Sequence, residues 1–375
     1  MKAVLLAIVL ASPPDAQVGP TVSVVLGGDI MLNGVSRDIR PFDGLAPFVR
    51  GADVAIANLE VPLTTAKTPT ARKTPDMLRR RAQFVLKADP ARAAHIAQAG
   101  FDMVSLGNNH TMDYGPSGLF EMMAALDRHR VVYAGAGMNE TAAWRAARFE
   151  TENRVRVALV SMLAFRGSAA MDICWPAVGD RPGIAALKLN GNVTDSSLPK
   201  IRAIVDSARK NADLVVVALH WGLERQTVPT AYQVQLGRAF VDQGADIVVG
   251  HHPHVLQGAE LYRGKPILYS TGNLVSPRPG ATAVFRLDFR DGNLASAAIL
   301  PASISGGKVS PLRGAAADRE RNRFAVLSSQ VGRRFPSPLS GPISWVLATT
   351  PNTTPGTEAG VSSTASRRGP WVCRN

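Results

Sequence analysis

The chain has 375 residues, of which 46% are hydrophobic, and it carries a formal net charge of +13 at pH 7. With 33 glycines and 26 prolines, this composition is typical of a globular α/β protein with many loops, and it excludes a fibrous or a wholly disordered chain. The positive charge implies attraction to polyanions or to anionic membrane surfaces. No DNA-binding helix, zinc finger or aromatic platform accompanies the basic residues, so we expect no nucleic-acid partner. The densest basic runs, residues 67–81 and 313–334, are therefore interpreted as solvated surface.

Residues 1–17 have the pattern of a short secretory signal. Lys2 precedes an apolar run over residues 3–11, and the sequence SPPDAQ follows. The apolar run is shorter than the roughly 20 residues that a membrane-spanning helix needs, and no later segment is long enough. We therefore expect export to the periplasm or to the outer face of the cytoplasmic membrane. The alternative is that residues 3–11 form a buried first strand.

Short apolar runs alternate with helical patterns through the middle of the chain. Apolar runs of this length, bounded by turn residues, are typical of buried strands. Between two of them, Asp89 can cap a helix that begins at Pro90 and ends at Gly100. Strands that alternate with helices predict an α/β fold whose sheet is covered on both faces. The runs span residues 22–29, 54–60, 102–110, 155–162, 213–221, 246–254 and 266–273.

Polar residues with metal-binding side chains follow several of these runs. Because ligands gather at the carboxyl ends of parallel strands, residues far apart in sequence can meet at one edge of the sheet. The stretch GHHPHVLQG (250–258) holds three of the chain's seven histidines, and a histidine pair alone is weak evidence for a metal site. Five of the seven histidines, however, occupy the same kind of position, and mixed nitrogen and oxygen donors suit Mn, Zn or Fe. The residues are Asp29, Glu60, Asn109, His110, His220, His252 and His254.

The motifs at these strand ends resemble a known family. In chain order they are GGDIML (27–32), ANLEVPLT (57–64), KADP (87–90), AGFDMVSLGNNHTMDYG (99–115), GAGMN (135–139), LHWGLE (219–224), GADIVVGHHPHVLQG (244–258) and LYSTGNLV (268–275). The sequence is similar to the bacterial capsule-synthesis family, the CapA-type proteins of poly-γ-glutamate biosynthesis, within the calcineurin-like metallophosphatase superfamily. This resemblance implies a four-layer α/β/β/α sandwich with a dinuclear centre of divalent metal ions, Mn, Fe or Zn.

The resemblance also implies a set of metal ligands, named by their position in the motifs. A carboxylate comes from the first motif, a bridging residue from the second, an asparagine from the fourth, and three histidines from the last motifs. The implied ligands are Asp29, Asn58 or Glu60, Asn109, His220, His252 and His254.

Two further residues and one departure bear on the implied chemistry. His110 would protonate the leaving group of a hydrolysed ester, and Asp113 would be the partner that orients it. The chain departs from the superfamily pattern at Met31, where a histidine is usual, and at NLE (58–60), where an aspartate is usual. A thioether is a poor ligand for a hard divalent ion, so the first motif supplies one ligand fewer.

These patterns predict both an organisation and a function. We expect a CapA-type domain over residues 20–310, a C-terminal extension of unassigned role over 311–346, and a disordered tail over 347–375 that is rich in Ser, Thr, Pro and Gly. The predicted function is capsule biosynthesis or export with a metal-dependent, phosphoesterase-like hydrolase site. Its partners would be an anionic polymer such as poly-γ-glutamate or a phosphoester substrate, and a membrane synthase complex. The alternatives are a non-catalytic accessory subunit of a capsule synthase or exporter, and a general metal-dependent phosphoesterase.

Overall fold

The computed structural model describes residues 21–165, 173–189, 193 and 197–348. The predicted signal peptide over residues 1–17 lies outside these residues. The tail predicted over 347–375 starts too early, because Leu347 belongs to a strand (Trp345–Leu347) and the Ala348 amide donates a hydrogen bond to the Ile299 carbonyl oxygen at 2.9 Å; from residue 349 onward it lies outside the described residues. Among the described residues, no helix is both long enough and apolar enough to cross a membrane.

A nine-stranded sheet combines strands from the N-terminal and C-terminal parts of the chain. The strands β1 and β2 lie in its centre and are buried along nearly their whole length, as their apolar sequences predict. The order is β16 (Lys308–Pro311), β15 (Asn293–Ser305), β14 (Gly280–Arg290), β1 (Thr21–Ile30), β2 (Val54–Leu59), β3 (Met103–Ser105) and β4 (Val132–Ala134). In addition, β13 (Asn273–Val275) pairs with β1, and β18 (Trp345–Leu347) pairs with β15. The strands from β1 to β4 are parallel, whereas β14, β15 and β16 are antiparallel.

A seven-stranded sheet carries most of the remaining strands. Its order is β17 (Ser340–Gly341), β11 (Ala259–Tyr262), β12 (Lys265–Leu268), β10 (Ile247–His251), β9 (Leu214–His220), β7 (Arg156–Leu163) and β6 (Ala147–Glu150). The central strands β7, β9, β10 and β12 are parallel. A short ribbon joins β5 (Ala136–Gly137) and β8 (Gly183–Ile184). The central strands of both main sheets are therefore parallel, and ligands usually bind at the carboxyl ends of such strands.

The helices follow the sequence punctuation closely. The helix predicted to begin at Pro90 starts as a 3₁₀ turn (Pro90–Arg92), capped by the Asp89 carboxylate, which accepts a hydrogen bond from the Ala91 amide at 2.9 Å. It continues to Gly100, whose left-handed backbone (φ 98°) ends the helix. The α-helices are α1 (Ala46–Arg50), α2 (Pro75–Arg79), α3 (Ala93–Ala99), α4 (Gly115–Arg128), α5 (Glu140–Trp144), α6 (Leu198–Arg209), α7 (Ala231–Asp242) and α8 (Gly314–Arg334).

The two sheets pack face to face, and helices cover their outer faces. Successive side chains of a strand point to opposite faces. In the first sheet, Val25 packs into the apolar cluster that contains α1, α3 and α4, whereas Val24 packs into the cluster between the sheets. In the second sheet, Val217 faces α6 and α7, and Val216 faces the first sheet. The packing thus gives the order helix, sheet, sheet, helix, and the predicted α/β fold is confirmed.

Helix α8 closes one side of this sandwich, in the region whose role the sequence left unassigned. Phe324 and Leu327 join the cluster between the sheets, and Val331 joins the cluster under α6 and α7. The ring of Phe324 lies 4.9 Å from that of Phe285 and 5.5 Å from that of Trp345, measured between centroids. The apolar side chains along one face of α8 are buried, so this helix belongs to the folded body.

Candidate metal centre

Backbone register brings the predicted site residues to one edge of the two sheets. Within the first sheet, Asp29 at the end of β1 is paired with Asn58 of β2 on one side and with Asn273 of β13 on the other. Within the second sheet, His220 at the end of β9 is paired with His251 at the end of β10. Parallel strands that end together place their last side chains side by side, which is why residues from distant motifs meet here.

A close backbone approach fixes the position of Asp29. A Cβ atom on Gly28 would lie 2.1 Å from the Gly272 carbonyl oxygen, so only glycine fits at this position. The Asp29 amide donates a hydrogen bond to the same carbonyl oxygen at 2.9 Å. The register of β1 against β2 also shifts between Leu26 and Asp29. This irregularity re-aims the strand end, a common device beside active sites.

Two carboxylates and four histidines form the centre of the site. Asp29 and Glu60 are both fully buried, and they lie on either side of the His254 ring. One nitrogen of that ring, Nδ1, is 3.3 Å from Asp29 Oδ2, and the other, Nε2, is 3.8 Å from Glu60 Oε1. Glu60 Oε1 is also 3.4 Å from His220 Nε2.

The donor atoms form overlapping groups of the size that a metal ion requires. Asp29, Glu60 and His254 form one group, and Glu60, His220 and His252 form another, with the donor atoms of each group within 4.8 Å of one another. Glu60 belongs to both groups, which is the position of a bridging carboxylate. A third group joins His252 and His254 to the exposed Glu224. Nitrogen and oxygen donors in such groups suit borderline divalent ions.

Several of these donor atoms are buried without a hydrogen bond. Within the described part of the chain, the buried atoms that lack a partner include Glu60 Oε1, Asn109 Oδ1, His220 Nε2, His251 Nε2 and His252 Nδ1. Leaving a buried polar atom unsatisfied costs about 1–3 kcal/mol. Orphaned atoms are rare in native proteins, and here five of them belong to residues gathered at one edge of the fold. Three of the five residues, Glu60, His220 and His252, form one group of metal donors, so a divalent cation bound there would give their atoms a partner, and these residues fit such an ion.

The carboxylates have opposite pKa shifts because they have different neighbours. Burial favours the neutral form of Asp29, but hydrogen bonds from His251 and His254 outweigh it and hold the Asp29 pKa well below its ordinary value. Burial and the nearby charge of Asp29 raise the Glu60 pKa well above its ordinary value. Without a cation, the site therefore favours the ionised form of Asp29 and opposes ionisation of Glu60.

The pKa values of the histidines are also shifted in opposite directions. Burial opposes a charge on His254, but Glu60 and Asp29 outweigh it and raise the His254 pKa to about 10. Burial and the charge of His254 lower the His252 pKa to about 3, and burial together with His252 lowers the His220 pKa well below its ordinary value. The imidazoles of His220 and His252 are therefore neutral at pH 7, which is the form that binds metals.

Of the two residues proposed for the bridging position, the geometry favours Glu60. Asn58 donates from Nδ2 to Asp29 Oδ1 at 2.8 Å, and its Oδ1 accepts a hydrogen bond from Asn108 Nδ2 at 3.1 Å. Asn58 is thus engaged on both sides of its amide and orients Asp29. Glu60, by contrast, presents an unpartnered oxygen to both groups of donors.

The neighbouring asparagines have different surroundings. Asn108 is fully buried, and its Oδ1 accepts hydrogen bonds from the amides of His110 and Thr111, both at 3.1 Å. It therefore shapes the loop after β3. Asn109 Oδ1 is buried and has no hydrogen-bond partner among the described residues, which leaves it available as a ligand.

His110 is held by Asp113, as the sequence predicted, and also by a lysine that the sequence did not single out. His110 Nδ1 lies 2.7 Å from Asp113 Oδ2. The buried Lys73 ammonium contacts the other oxygen of Asp113 and lies 3.3 Å from His110 Nδ1. Burial and Lys73 lower the His110 pKa, although Asp113 acts in the opposite direction. The lowered pKa favours the neutral ring, and the Asp113 carboxylate is placed to accept a hydrogen bond from Nδ1–H, which leaves the free lone pair on Nε2.

His251 is the second residue that the sequence interpretation passed over. It is 1% exposed, and its Nδ1 lies 3.2 Å from Asp29 Oδ1. The spacing of histidines around Pro253 had selected His252 and His254, which both adopt left-handed backbone conformations (φ 94° and 58°). Such strain in non-glycine residues is concentrated at functional sites. The pairing of His251 with His220 across β9 and β10 was the signal that could have found it.

Searches against known proteins place this chain among bacterial relatives. It is 31% identical over 305 residues to capsule biosynthesis protein CapA of Bacillus anthracis, covering 78% of this chain and 70% of the relative. It is 31% identical over 255 residues to PGA biosynthesis protein CapA of Bacillus subtilis, covering 66% of this chain and 61% of the relative. A probable polyglutamine synthesis accessory protein of Mycobacterium tuberculosis is 28% identical over 380 residues, with 87% of this chain and 94% of the relative covered.

Solved structures and a family model complete the comparison. A phosphatase of Mycoplasma pneumoniae aligns over 76% of this chain and 94% of its own, with 13% identity and a TM-score of 0.46. The family model described as "Bacterial capsule synthesis protein PGA_cap" matches residues 23–278, a span that includes every residue of the candidate centre. The chain therefore belongs to the bacterial capsule synthesis protein family PGA_cap.

Proposed function

We propose that this protein takes part in making, exporting or attaching an anionic capsule polymer of the poly-γ-glutamate type, and that its metal centre is a hydrolase site. The observation that carries the proposal is the Glu60 carboxylate, which belongs to two groups of buried metal donors. Membership of the family supports the capsule role, as do the names of relatives described as capsule biosynthesis proteins. The net charge of +13 suits an anionic polymer.

The centre would hold two divalent ions of the Mn, Fe or Zn type. Asp29, Glu60 and His254 would hold one ion, and Glu60, His220 and His252 the other, with Asn109 as a further ligand. When bound, such ions supply positive charge that activates water and stabilises an anionic leaving group.

The protein's own groups would position the reactants and move the proton. Asp113 accepts a hydrogen bond from His110 Nδ1–H and so fixes the tautomer in which Nε2 has a free lone pair. Nε2 would first take a proton from the attacking water, and the imidazolium so formed would then give that proton to the leaving oxygen. Asn58 orients the Asp29 carboxylate through its amide. Phe165 lies 4.8 Å from the His252 ring, between centroids, and shields that side of the centre from water.

The polymer of a capsule lies outside the cytoplasm, so we propose that the protein acts in the cell envelope. The signal pattern at residues 1–17 supports export, and a membrane synthase or exporter would be its working partner.

Metal content and turnover test the proposal together. The double variant His252→Ala, His254→Ala should lose bound metal and hydrolysis of an aryl phosphodiester with Mn, while keeping its circular dichroism spectrum. The matched control is His129→Ala, which changes an exposed histidine outside the centre. An unchanged rate in the double variant would refute a role for the centre. Metal without turnover, together with polyglutamate binding, would instead favour the accessory subunit.

A further inference from the structure

The segment over residues 67–87, here called the basic segment, runs beside the metal centre. It contains seven lysines and arginines and a single acidic residue, Asp76. Asp76 pairs with two of the arginines, at 3.2 Å from Arg79 and 2.9 Å from Arg80. One carboxylate cannot balance this charge, so the segment is strongly cationic.

Three contacts tie the basic segment to the loop that carries Asn109 and His110. The Thr70 amide donates to the Asp113 carbonyl oxygen at 2.8 Å, and the Leu86 amide donates to the Asp113 carboxylate at 2.7 Å. Between them, Lys73 Nζ donates to the Asn109 carbonyl oxygen at 3.1 Å. The segment therefore leaves the edge of the centre and returns to it, and its position is set by the same residues that hold His110.

The remaining charges of the segment face solvent near this anchor. The side chains of Arg79 and Arg80 are 71% and 74% exposed, and Arg81 is also exposed. Arg79 follows Lys73 by six residues, which span at most about 20 Å when the chain is fully extended. Five of the residues in this stretch form the helix α2, whose rise per residue is less than half that of an extended chain, so the two residues are closer than this limit. The backbone of Arg79 therefore lies within about 20 Å of Lys73, which contacts the residues that hold His110.

Two aromatic rings beside the segment are contacted by cations of the segment. The Arg72 guanidinium lies 4.3 Å from the centre of the Trp175 ring, and Lys87 Nζ lies 5.0 Å from that of Tyr114. Proteins that bind single-stranded nucleic acids use open aromatic faces on which bases stack. Each of these two rings has a cation over one face, whereas Phe84 within the segment is 41% exposed. The feature of this surface that fits a polycarboxylate is therefore its excess of cationic side chains.

We propose that the basic segment is the docking surface on which a linear polycarboxylate is led to the metal centre. The inference rests on the proposed function for the identity of the polymer, and on the placement of the segment for the location. It replaces the interpretation of residues 67–81 as ordinary solvated surface, because a general surface patch has no reason to be tied to the residues that hold His110. Binding a polyanion releases counterions, so the interaction should weaken steeply with salt.

Direct binding of fluorescent poly-γ-glutamate to the intact protein tests this inference. Each basic side chain beside a polyanionic surface contributes roughly a fivefold factor in affinity, so neutralising three predicts a loss of about 100-fold at about 50 mM salt. The test variant replaces Arg79, Arg80 and Arg81 with glutamine. The control variant makes the same change in net charge on α8, which contributes no residue to the centre, through Arg319→Gln, Arg323→Gln and Arg333→Gln.

The outcomes separate this inference from the proposed function. A loss of about 100-fold in the test variant, with the control within about threefold of the parent, supports the docking surface. Equal losses in both variants, or no loss in the test variant, overturn it, since binding would then depend on overall charge or lie elsewhere. Tighter binding of a single-stranded oligonucleotide than of polyglutamate also overturns it. Because binding is measured without turnover, a protein that binds through the segment but hydrolyses nothing would contradict only the hydrolase proposal.

Discussion

Replacing Glu60 with glutamine should have opposite effects on the metal-free and metal-bound proteins. In the metal-free protein, burial and Asp29 raise the Glu60 pKa, so ionised Glu60 is less favourable in the folded than in the unfolded chain, and the folded protein loses stability above the ordinary pKa of a glutamate. Glutamine keeps the shape and removes this cost. With metal present, the same change removes the one carboxylate that belongs to both donor groups. We therefore expect Glu60→Gln to raise the melting temperature of the metal-free protein and to weaken its rise on adding metal.

The size of the metal effect follows from binding linkage. An ion present at a hundred times its dissociation constant stabilises the parent by about 2.7 kcal/mol. About 300 ordered residues unfold with an entropy of about 0.6 kcal/mol per kelvin, so the melting temperature should rise by about 4 °C for each ion bound. Losing a charged ligand contact worth about 1.5–3 kcal/mol lowers the affinity roughly 10- to 150-fold, which leaves a rise of about 2 °C or less.

Differential scanning fluorimetry with and without Mn or Zn, beside metal content by plasma mass spectrometry, measures both effects. The control is Glu224→Gln, because Glu224 is exposed and belongs only to the third donor group. If Glu60→Gln kept the full metal-dependent rise, Glu60 would not be a shared ligand, and the centre would have to be rebuilt around Asn58. If the metal-free variant melted lower than the parent, the argument from the raised pKa would fail.

Three further predictions concern single residues. His251→Ala should lower metal affinity by about 10- to 100-fold through the loss of its contact with Asp29, measured by metal titration, and an unchanged affinity would make His251 a packing residue only. Burial raises the Cys174 pKa to about 12, so in a Cys373→Ser variant the folded protein should react slowly with a thiol reagent at pH 8. The reaction should become faster as the pH rises and should be immediate in denaturant, whereas fast labelling at pH 8 would contradict the burial of Cys174. Gly250→Ala should lower the free energy of unfolding, measured with urea, by about 1–3 kcal/mol, because the new Cβ would lie 2.0 Å from the Tyr269 carbonyl oxygen. A loss of less than about 0.5 kcal/mol would mean that the backbone at Tyr269 moves away from Gly250 at little cost.

The sequence predicted the part of the site that depends on strand order. Asp29, Glu60 and His220 each stand at or just beyond the end of an apolar run, and parallel strands with helical crossovers bring such ends together whatever the remaining details. The position of these three residues needs only the periodicity of apolar residues and the chemistry of ligands. The choice of His252 and His254 within their motif came from the resemblance to the metallophosphatase superfamily.

The features that the sequence did not predict depend on contacts between distant segments. Lys73 stands in a run of basic residues, and nothing in the local sequence distinguishes it from the others. It is buried because its ammonium group donates hydrogen bonds to the Asp113 carboxylate and to the Asn109 carbonyl oxygen, which belong to another loop. His251 was set aside because His252 and His254 flank Pro253 with the spacing of the superfamily that the sequence resembles, but the change of backbone at His252 lets the side chains of both His251 and His252 reach the centre. In both cases the cause is tertiary placement.

The electrostatics of the centre bear on the choice between an enzyme and an accessory subunit. Five unpartnered donor atoms, at about 1–3 kcal/mol each, would together cost an amount comparable with the whole net stability of a typical domain. A chain that had no use for a cation would be more stable with apolar residues at these positions, because a half-satisfied polar cluster is worse than an apolar core. Both the hydrolase and a metal-stabilised accessory subunit therefore require the ion, and metal content alone does not separate them. The separating observation is turnover that depends on His110, a residue that holds a proton beside the centre and whose replacement should leave metal content unchanged.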